Sequence, residues 1–379
     1  MIVIQRFLKW IETAKVAERA AAAAALARAY IRDDICFEDR MAAEAALTLL
    51  LDDPSAKVRL ALSETLSLSH RAPAQVVAAL ADDQPEVAAP VLLRSPLLSD
   101  SDLVDRAATA GGEIQRLLAC RPRVSMALSA ALAEIGTAEA CLALVGNEGA
   151  QIAGVSFRRM IERHGGNGAL RAALAADPRL PPDCRHMLVV RTGEALSAAP
   201  IVKALMGATR AEHVAREACV RASITLIDRT ASCEHAALVE HLRLRGDLTS
   251  AFLARAVAHG KVDFFGVALA ALSGRGERRV QALLSGGRAG ALAALFSSAG
   301  LKPVTHAPIL AALSIWREVA NGRRIAGPQE VSWHMLKALE GCEAGPQSDR
   351  DALATLLKRI HLEVLRENAR QQALALAAA

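Results

Sequence analysis

Apolar residues recur at helical spacing along most of this 379-residue chain. Val58, Ala61, Leu62, Thr65 and Leu66 follow the i, i+3, i+4, i+7, i+8 pattern, which places them on one face of a helix. Two further stripes have similar spacing: Val124, Leu128, Ala131, Leu132 and Ile135; and Leu353, Leu356, Leu357, Ile360 and Val364. The pattern predicts an all-α protein built from amphipathic helices.

Residues that begin and end helices lie between the stripes at short intervals. Ser99 and Asp102 have the spacing of a capping box, and Pro182 and Pro328 stand where helices should begin. Gly136 is predicted to end the preceding helix as a left-handed cap. Further glycines stand at predicted helix ends: Gly246, Gly260, Gly300, Gly322 and Gly341. These signals predict about eighteen helices of about 8 to 18 residues, joined by tight turns.

A short sequence is repeated with an offset of 29 residues. Leu51–Val58 aligns with Leu80–Val87, and both copies read as a helix end, an acidic turn with a proline, and a new helix opened by a valine. Periods between about 20 and 50 residues are typical of repeat arrays, in which short amphipathic helices bury their apolar faces against neighbours. We therefore expect an α-α superhelix, a solenoid of antiparallel helix pairs.

The stretch from Asp53 to Arg59 resembles the turn and second-helix start of a HEAT repeat. In such repeats an aspartate and an arginine often bridge neighbouring units. The second copy has Ala88 where the arginine would stand, so the resemblance implies an incomplete ladder. The residues that the resemblance assigns to the structural repeat motif are Asp53, Pro54, Val58, Arg59, Asp82, Asp83 and Val87.

The chain from about residue 40 to about 310 is also similar to the bacterial family called domain of unknown function 2336, a set of HEAT-like helical proteins. The segments that carry this similarity are Val58–Glu64, Leu80–Asp83, Val91–Ser99, Leu117–Arg121, Gly260–Phe265 and Ala299–Leu301. The resemblance implies a helical repeat fold and no known activity, so it transfers no catalytic residue. We predict an N-terminal capping helix region at 1–39, HEAT-like repeats at 40–190, and divergent C-terminal helical repeats with a capping helix at 191–379.

Composition agrees with helices and excludes several classes of protein. Hydrophobic residues make up 53% of the chain but aromatic residues only 3%, so alanine and leucine supply the apolar surface, as helices favour and β-sandwiches do not. The seven cysteines are scattered singly, which indicates a reducing compartment rather than a disulfide framework. No charge-free stretch reaches the roughly 20 residues that a membrane helix needs. We expect a cytoplasmic protein without membrane insertion.

One group of residues has metal-ligand chemistry. Cys233, His235 and His241 could offer a thiolate and two imidazoles to zinc, but their spacing matches no standard zinc site and no CxxC pair is present. Structural packing is the favoured interpretation, so we predict no metal and no cofactor. No histidine has a partnered carboxylate and nucleophile at readable spacing, and we therefore expect no enzymatic activity.

The C-terminal third is locally basic around its predicted turns. The residues concerned are Arg275, Arg278, Arg279, Arg288, Arg323 and Arg324. On one edge of a solenoid they could contact phosphates, although basic residues near helix C-termini are also favoured by the helix dipole. The net charge is only +5, which permits an acidic partner without requiring one. The leading prediction is therefore a non-enzymatic scaffold that binds another protein, and the alternative is a nucleic-acid-binding protein that uses this basic edge.

Overall fold

The predicted all-helical class is confirmed. The computed structural model describes residue 10 and residues 13–32, 36–341 and 344–378. Within those ranges the regular elements are 22 α-helices and two short 3-10 helices, with one isolated β-bridge between Val124 and Ala150. The expected number of helices, about eighteen, was too low. Adjacent helices can be separated by a single residue, as at Ala199 and Gly207, and such breaks do not interrupt the apolar spacing.

The chain folds into two compact units, Met1–Leu180 and Pro181–Ala379. The described helices of the first unit are α1 (Val16–Tyr30), α2 (Phe37–Leu50), α3 (Ala56–Leu66), α4 (Ala74–Ala81), α5 (Pro85–Arg94), α6 (Asp100–Thr109), α7 (Gly112–Ala119), α8 (Met126–Ile135), α9 (Ala138–Val145), α10 (Gly154–His164) and α11 (Gly168–Ala176). The predicted N-terminal capping region, 1–39, is described in part, and its residues 1–9, 11–12 and 33–35 lie outside the described residues.

Alternate helices of the first unit contact one another. Helix α1 packs on α3, α3 on α5, α5 on α7, α7 on α9, and α9 on α11. Helices α6, α8 and α10 form a second row of the same kind. The buried leucines that the apolar stripes predict, such as Leu62, Leu66, Leu128 and Leu132, lie between these helices. The odd-numbered helices and α6, α8 and α10 thus pack against a neighbour two positions along the chain, whereas α2 and α4 pack against helices adjacent in sequence.

Two arginines link successive odd-numbered helices in the same way. Arg59 of α3 donates to both carboxylate oxygens of Asp83, with Nε–Oδ2 and Nη2–Oδ1 distances of 2.5 and 3.0 Å. Arg19 of α1 makes the matching pair with Asp53 at 2.8 and 3.0 Å. These hydrogen bonds lower the pKa of Asp83, and at Asp53 they outweigh burial, which alone would raise its pKa. Ala88 aligns with Arg59 in the second copy of the repeat, so it cannot form a pair of this kind.

Most predicted helix ends are present, with one exception. Ser99 and Asp102 form the capping box, and Pro182 and Pro328 occupy the first positions of their helices. Gly136 was expected to be left-handed, and this was wrong, because its φ is −65° and its ψ is 156°. The chain leaves α8 in an extended conformation there, which leads directly to Thr137, the N-cap of α9.

The helices of the second unit surround one short central helix. They are α12 (Pro182–Ala198), α13 (Pro200–Met206), α14 (Ala208–Arg229), α15 (His235–Arg245), α16 (Ser250–Ala258), α17 (Val262–Ser273), α18 (Glu277–Gly286), α19 (Ala289–Ser298), α20 (His306–Ala320), α21 (Pro328–Glu340) and α22 (Gln347–Ala378). Helix α16 contacts α14, α17, α20, α21 and α22. Every residue from Phe252 to Ala258 is buried, which identifies α16 as the core helix of this unit.

None of the helices in the described ranges combines the length and the apolar character needed to cross a membrane.

Candidate functional site

A charged side chain lies within the central helix of the second unit. Arg255 stands in the middle of the apolar run of α16, and its relative exposure is 2%. Its Nη1 donates to Oε2 of Glu363 on α22 at 2.7 Å. Its Nε and Nη2 make no hydrogen bond with the described part of the chain, although a guanidinium offers five N–H donors. A buried charge is costly unless it is paired and hydrogen-bonded, so this arginine is the most unusual residue of the core.

The arginine belongs to a network of five charges on three helices. Glu363 also accepts from Nη1 of Arg221 on α14 at 3.1 Å. One turn earlier on both helices, Arg359 of α22 pairs with Glu217 of α14. Burial would raise the pKa of Glu217, but the hydrogen bond from Arg359 and the nearby positive charges lower it. The Glu217 carboxylate is therefore ionised at neutral pH. The network consists of three arginines and two glutamates.

A cavity of about 610 Å³ opens beside this network, within the second unit. It lies between α12, α14, α15, α16 and α22, and Arg255 forms part of its lining. The apolar part of the lining includes Val190, Leu242, Phe252 and Leu356. A cavity of this size accommodates a small organic molecule.

The wall formed by α12 and α14 depends on a glycine. A Cβ atom at Gly193 would lie 2.4 Å from Sγ of Cys219. That thiol donates to the backbone carbonyl of Val189 at 3.6 Å. The absence of a side chain at Gly193 therefore allows the two helices to approach closely along this side of the cavity.

A histidine pair borders the same cavity. Nδ1 of His186 on α12 lies 3.2 Å from Nε2 of His241 on α15, and His186 lines the cavity. Burial, together with the neighbouring His241, lowers the pKa of His186 to about 4. His186 is consequently neutral at pH 7, so it offers the cavity a polar but uncharged edge.

The three metal-ligand candidates predicted from the sequence have different surroundings in the structure. Cys233 is exposed in the 3-10 helix Ser232–Glu234, His235 packs edge-on against Phe264, and His241 contacts His186. In the ranges that the structure describes, no three His, Cys, Asp or Glu side chains are grouped so that they could hold a metal ion.

The predicted basic residues fall at two ends of one helix. Arg275, Arg278 and Arg279 are exposed at and just before the start of α18. Arg317, in the last turn of α20, donates to carbonyls at the other end of α18. Arg323 and Arg324 follow α20, and Arg324 pairs with Glu318 and Glu330. Helix α18 is about 15 Å long. Arg275, Arg278 and Arg279 therefore lie about that distance from its C-terminal end, which Arg317 contacts.

A patch of exposed apolar residues surrounds α13. We define the α13 patch as Leu196, Ile201, Leu205, Met206 and Val214, whose relative exposures are 58, 69, 79, 38 and 43%. Helix α13 has no buried residue, although it contacts α12 and α14. Scattered single apolar residues are normal on a surface, whereas large contiguous apolar patches are typical of interaction sites.

The described residues define an all-helical protein whose second unit contains a core helix, a partly charged cavity and an exposed apolar patch. A family model matches residues 87–345, and the chain belongs to that family, which is described as an uncharacterised protein conserved in bacteria (DUF2336). The resemblance to this family seen in the sequence is thereby confirmed, over residues 87–345 rather than the expected range of about 40 to about 310. The matched range includes Arg255, whereas Arg359 and Glu363 follow it. No curated protein and no solved structure matches the chain.

Proposed function

We propose that the chain is a non-enzymatic scaffold, built as a HEAT-like α-α superhelix, that binds another protein through the α13 patch. The repeat architecture is supported by the packing of alternate helices in the first unit and by the matching pairs Arg19–Asp53 and Arg59–Asp83. Polar contacts in that unit also recur at similar sequence separations: Arg121 to Leu92, Asn147 to Ala119 and Arg163 to Ala133 are 29, 28 and 30 residues apart.

Native-state hydrogen exchange tests the repeat architecture. In a solenoid each unit contacts only its neighbours, so the helices from α1 to α11 should exchange in successive groups with graded protection. A single protection value shared by all of these helices would contradict the repeat interpretation.

The exposure of α13 is the observation that carries the binding proposal. Exposed side chains near the patch are Lys203, Arg210 and Arg216, against the carboxylate of Glu212, and the exposed Glu194 is paired with Arg191. A second copy would bring the same positive side chains together in a two-fold interface, which disfavours self-association. The partner is therefore a different protein, with an apolar segment flanked by acidic residues.

Carboxyl-to-amine crosslinking in cells tests this proposal. The reagent should join Lys203 to an acidic residue of one specific partner, and the double variant Ile201→Glu/Leu205→Glu should abolish the crosslink. Val155→Glu is the matched control, because Val155 is 71% exposed but lies on α10. Equal loss in the control, or a crosslink that survives in the patch variant, would reject the α13 patch as the binding surface.

Nucleic-acid binding is a second candidate, favoured by one observation. Arg278 and Arg279 lie in the first turn of α18, where the helix dipole disfavours positive charge, so the dipole does not account for them. Contact with the phosphates of a nucleic acid would account for these two arginines. Duplex DNA binding should then weaken with salt, and Arg278→Glu/Arg279→Glu should reduce both affinity and salt slope. Absence of binding at low salt would exclude this role.

A further inference from the structure

Helix α2 of the first unit carries a line of exposed apolar side chains. We define the α2 stripe as Phe37, Met41, Ala45 and Leu49, which recur every four residues along the helix. Phe37, Met41 and Leu49 are 77, 53 and 53% exposed. The opposite face of α2 is buried, and the helix packs on α1. A helix that is apolar on two opposite faces is typical of one with neighbours on both sides.

The packing of the first unit indicates which segment belongs beside α2. The odd-numbered helices and the row of α6, α8 and α10 pack on the helix two positions along the chain. Counted in the same way, the segment two positions before α2 is the one that precedes α1, residues 1–12. The other row of helices would then begin with this segment and α2.

The sequence of that segment has an apolar face that matches the stripe. Four residues follow the i, i+3, i+4, i+7 spacing of one helical face: Ile4, Phe7, Leu8 and Ile11. Arg6 and Lys9 fall on the opposite face of such a helix. A helix over residues 1–11 would be about 16 Å long, and the stripe from Phe37 to Leu49 spans about 18 Å. The two apolar faces are therefore similar in length.

The described residues before α1 show where the segment ends. The chain turns there, since the N–H of Ala14 donates to the carbonyl of Trp10 at 3.0 Å. Arg19, near the start of α1, pairs with Asp53, three residues beyond the end of α2. The turn therefore lies at the end of α2 that carries Leu49. Helices joined by a short turn run antiparallel, so the segment before α1 leads back along α2 toward the start of the stripe.

We propose that residues 1–11 dock as an amphipathic helix on the α2 stripe, parallel to α2, with Ile4 beside Met41 and Ile11 beside Leu49. The apolar face of the segment covers the stripe, and its charged face is directed outward. The docking concerns the first unit alone and does not depend on the binding role proposed for the α13 patch.

Engineered cysteine pairs in the full-length protein test the contact and its direction. Ile4→Cys/Met41→Cys and Ile11→Cys/Leu49→Cys should each form a disulfide within one chain under mild oxidation, because docking brings both pairs together. Ile4→Cys/Leu49→Cys is the matched control. It joins the same positions in the other combination, which docking holds about 12 Å apart along the helix axis, so it should stay reduced.

Peptide mapping by mass spectrometry distinguishes the engineered disulfides from any that involve native cysteines. Failure of both test pairs, or equally rapid oxidation of the control pair, would overturn the proposal. Disulfides that join two chains would assign the stripe to a second copy and would also overturn it.

Hydrogen exchange provides a test that needs no engineered cysteine. The amides of residues 4–11 should exchange at least about tenfold more slowly in the wild type than in Phe37→Glu/Met41→Glu, because burial of even one large apolar side chain contributes on that scale. Both replaced side chains are exposed on α2, so the packing of α2 on α1 is kept. Val155→Glu, on α10, is the control and should retain the protection.

Two results of the exchange experiment would reject the docking. Equal protection of residues 4–11 in the wild type and in Phe37→Glu/Met41→Glu would place the segment on another surface. Protection that arises only when phosphatidylglycerol vesicles are added would assign the segment to a membrane surface instead of the α2 stripe.

Discussion

In the first unit Arg19 and Arg59 lie near the starts of α1 and α3, and each pairs with an aspartate in the turn before the next odd-numbered helix. In the second unit Arg255 lies inside the core helix and meets a carboxylate that is distant in sequence, Glu363. The first arrangement repeats because each pair needs only one helix and the turn that precedes the next odd-numbered helix. The second depends on residues of three helices, α14, α16 and α22. Edge pairs therefore hold neighbouring helices, whereas the buried network defines a site.

The largest expected effect comes from breaking the buried network. Glu363→Ala leaves Arg255 in the core without its carboxylate, and we expect a loss of about 3 kcal/mol in the free energy of unfolding. Urea denaturation measures this loss. The double variant Arg255→Met/Glu363→Ala should recover much of it, since an apolar residue replaces the unpaired charge. If Glu363→Ala were as stable as the wild type, the buried pair would contribute no more to the free energy of unfolding than the edge pairs do.

The next effect concerns acid sensitivity of the second unit. Because the folded pKa of His186, about 4, lies below its unfolded value of about 6.5, the unfolded state binds a proton first as the pH falls. The contribution of neutral His186 is complete above about pH 6.5 and is lost progressively toward pH 4, by about 2 kcal/mol at pH 5.

Unfolding free energies measured from pH 7.5 to 4.5 should therefore decrease less steeply in His186→Gln than in wild type. His164→Gln is the control from the first unit, where His164 contacts the Gly136 carbonyl at 3.0 Å. A steep decrease that persists unchanged in His186→Gln would assign the acid sensitivity to other groups.

The smallest effect belongs to an edge pair. Arg59→Ala removes a bidentate, half-buried pair, and we expect a loss of about 1 kcal/mol. The exposed pair of Arg159 and Glu134, whose side chains are 41 and 58% accessible, is the comparison, and Arg159→Ala should cost less than Arg59→Ala because solvent screens the exposed pair. Thermal unfolding of both variants gives the difference. Equal losses of stability in Arg59→Ala and Arg159→Ala would indicate that the pair of Arg59 and Asp83 stabilises the fold no more than an exposed surface pair.

The sequence predicted local features well and long-range ones poorly. The apolar stripe through Leu62 and Leu66 and the capping box at Ser99 depend on residues within a few turns, so periodicity and spacing reveal them. The pairing of Arg59 with Asp83 could be anticipated because both lie in visible copies of one motif. Arg19 was missed, since its helix carries no recognisable copy.

The candidate site was missed for a different reason. Arg255 interrupts an otherwise apolar run from Phe252 to Ala258, and a lone charge in a helix that is apolar on all sides is a signal that sequence reasoning could have used. Its partner, Glu363, is 108 residues away, and one sequence contains no information about which distant residues meet. The α13 patch was missed because its leucines and isoleucine have the same appearance as core residues until their exposure is known.

The two ion pairs between α14 and α22 also determine how these helices align along their axes. Glu217 precedes Arg221 by four residues, and Arg359 precedes Glu363 by four, so opposite signs meet in one alignment. Sliding α22 by one turn would set Arg359 against Arg221 in one direction, and Glu363 against Glu217 in the other. The alternation of charge thus favours one axial register of the C-terminal helix against α14.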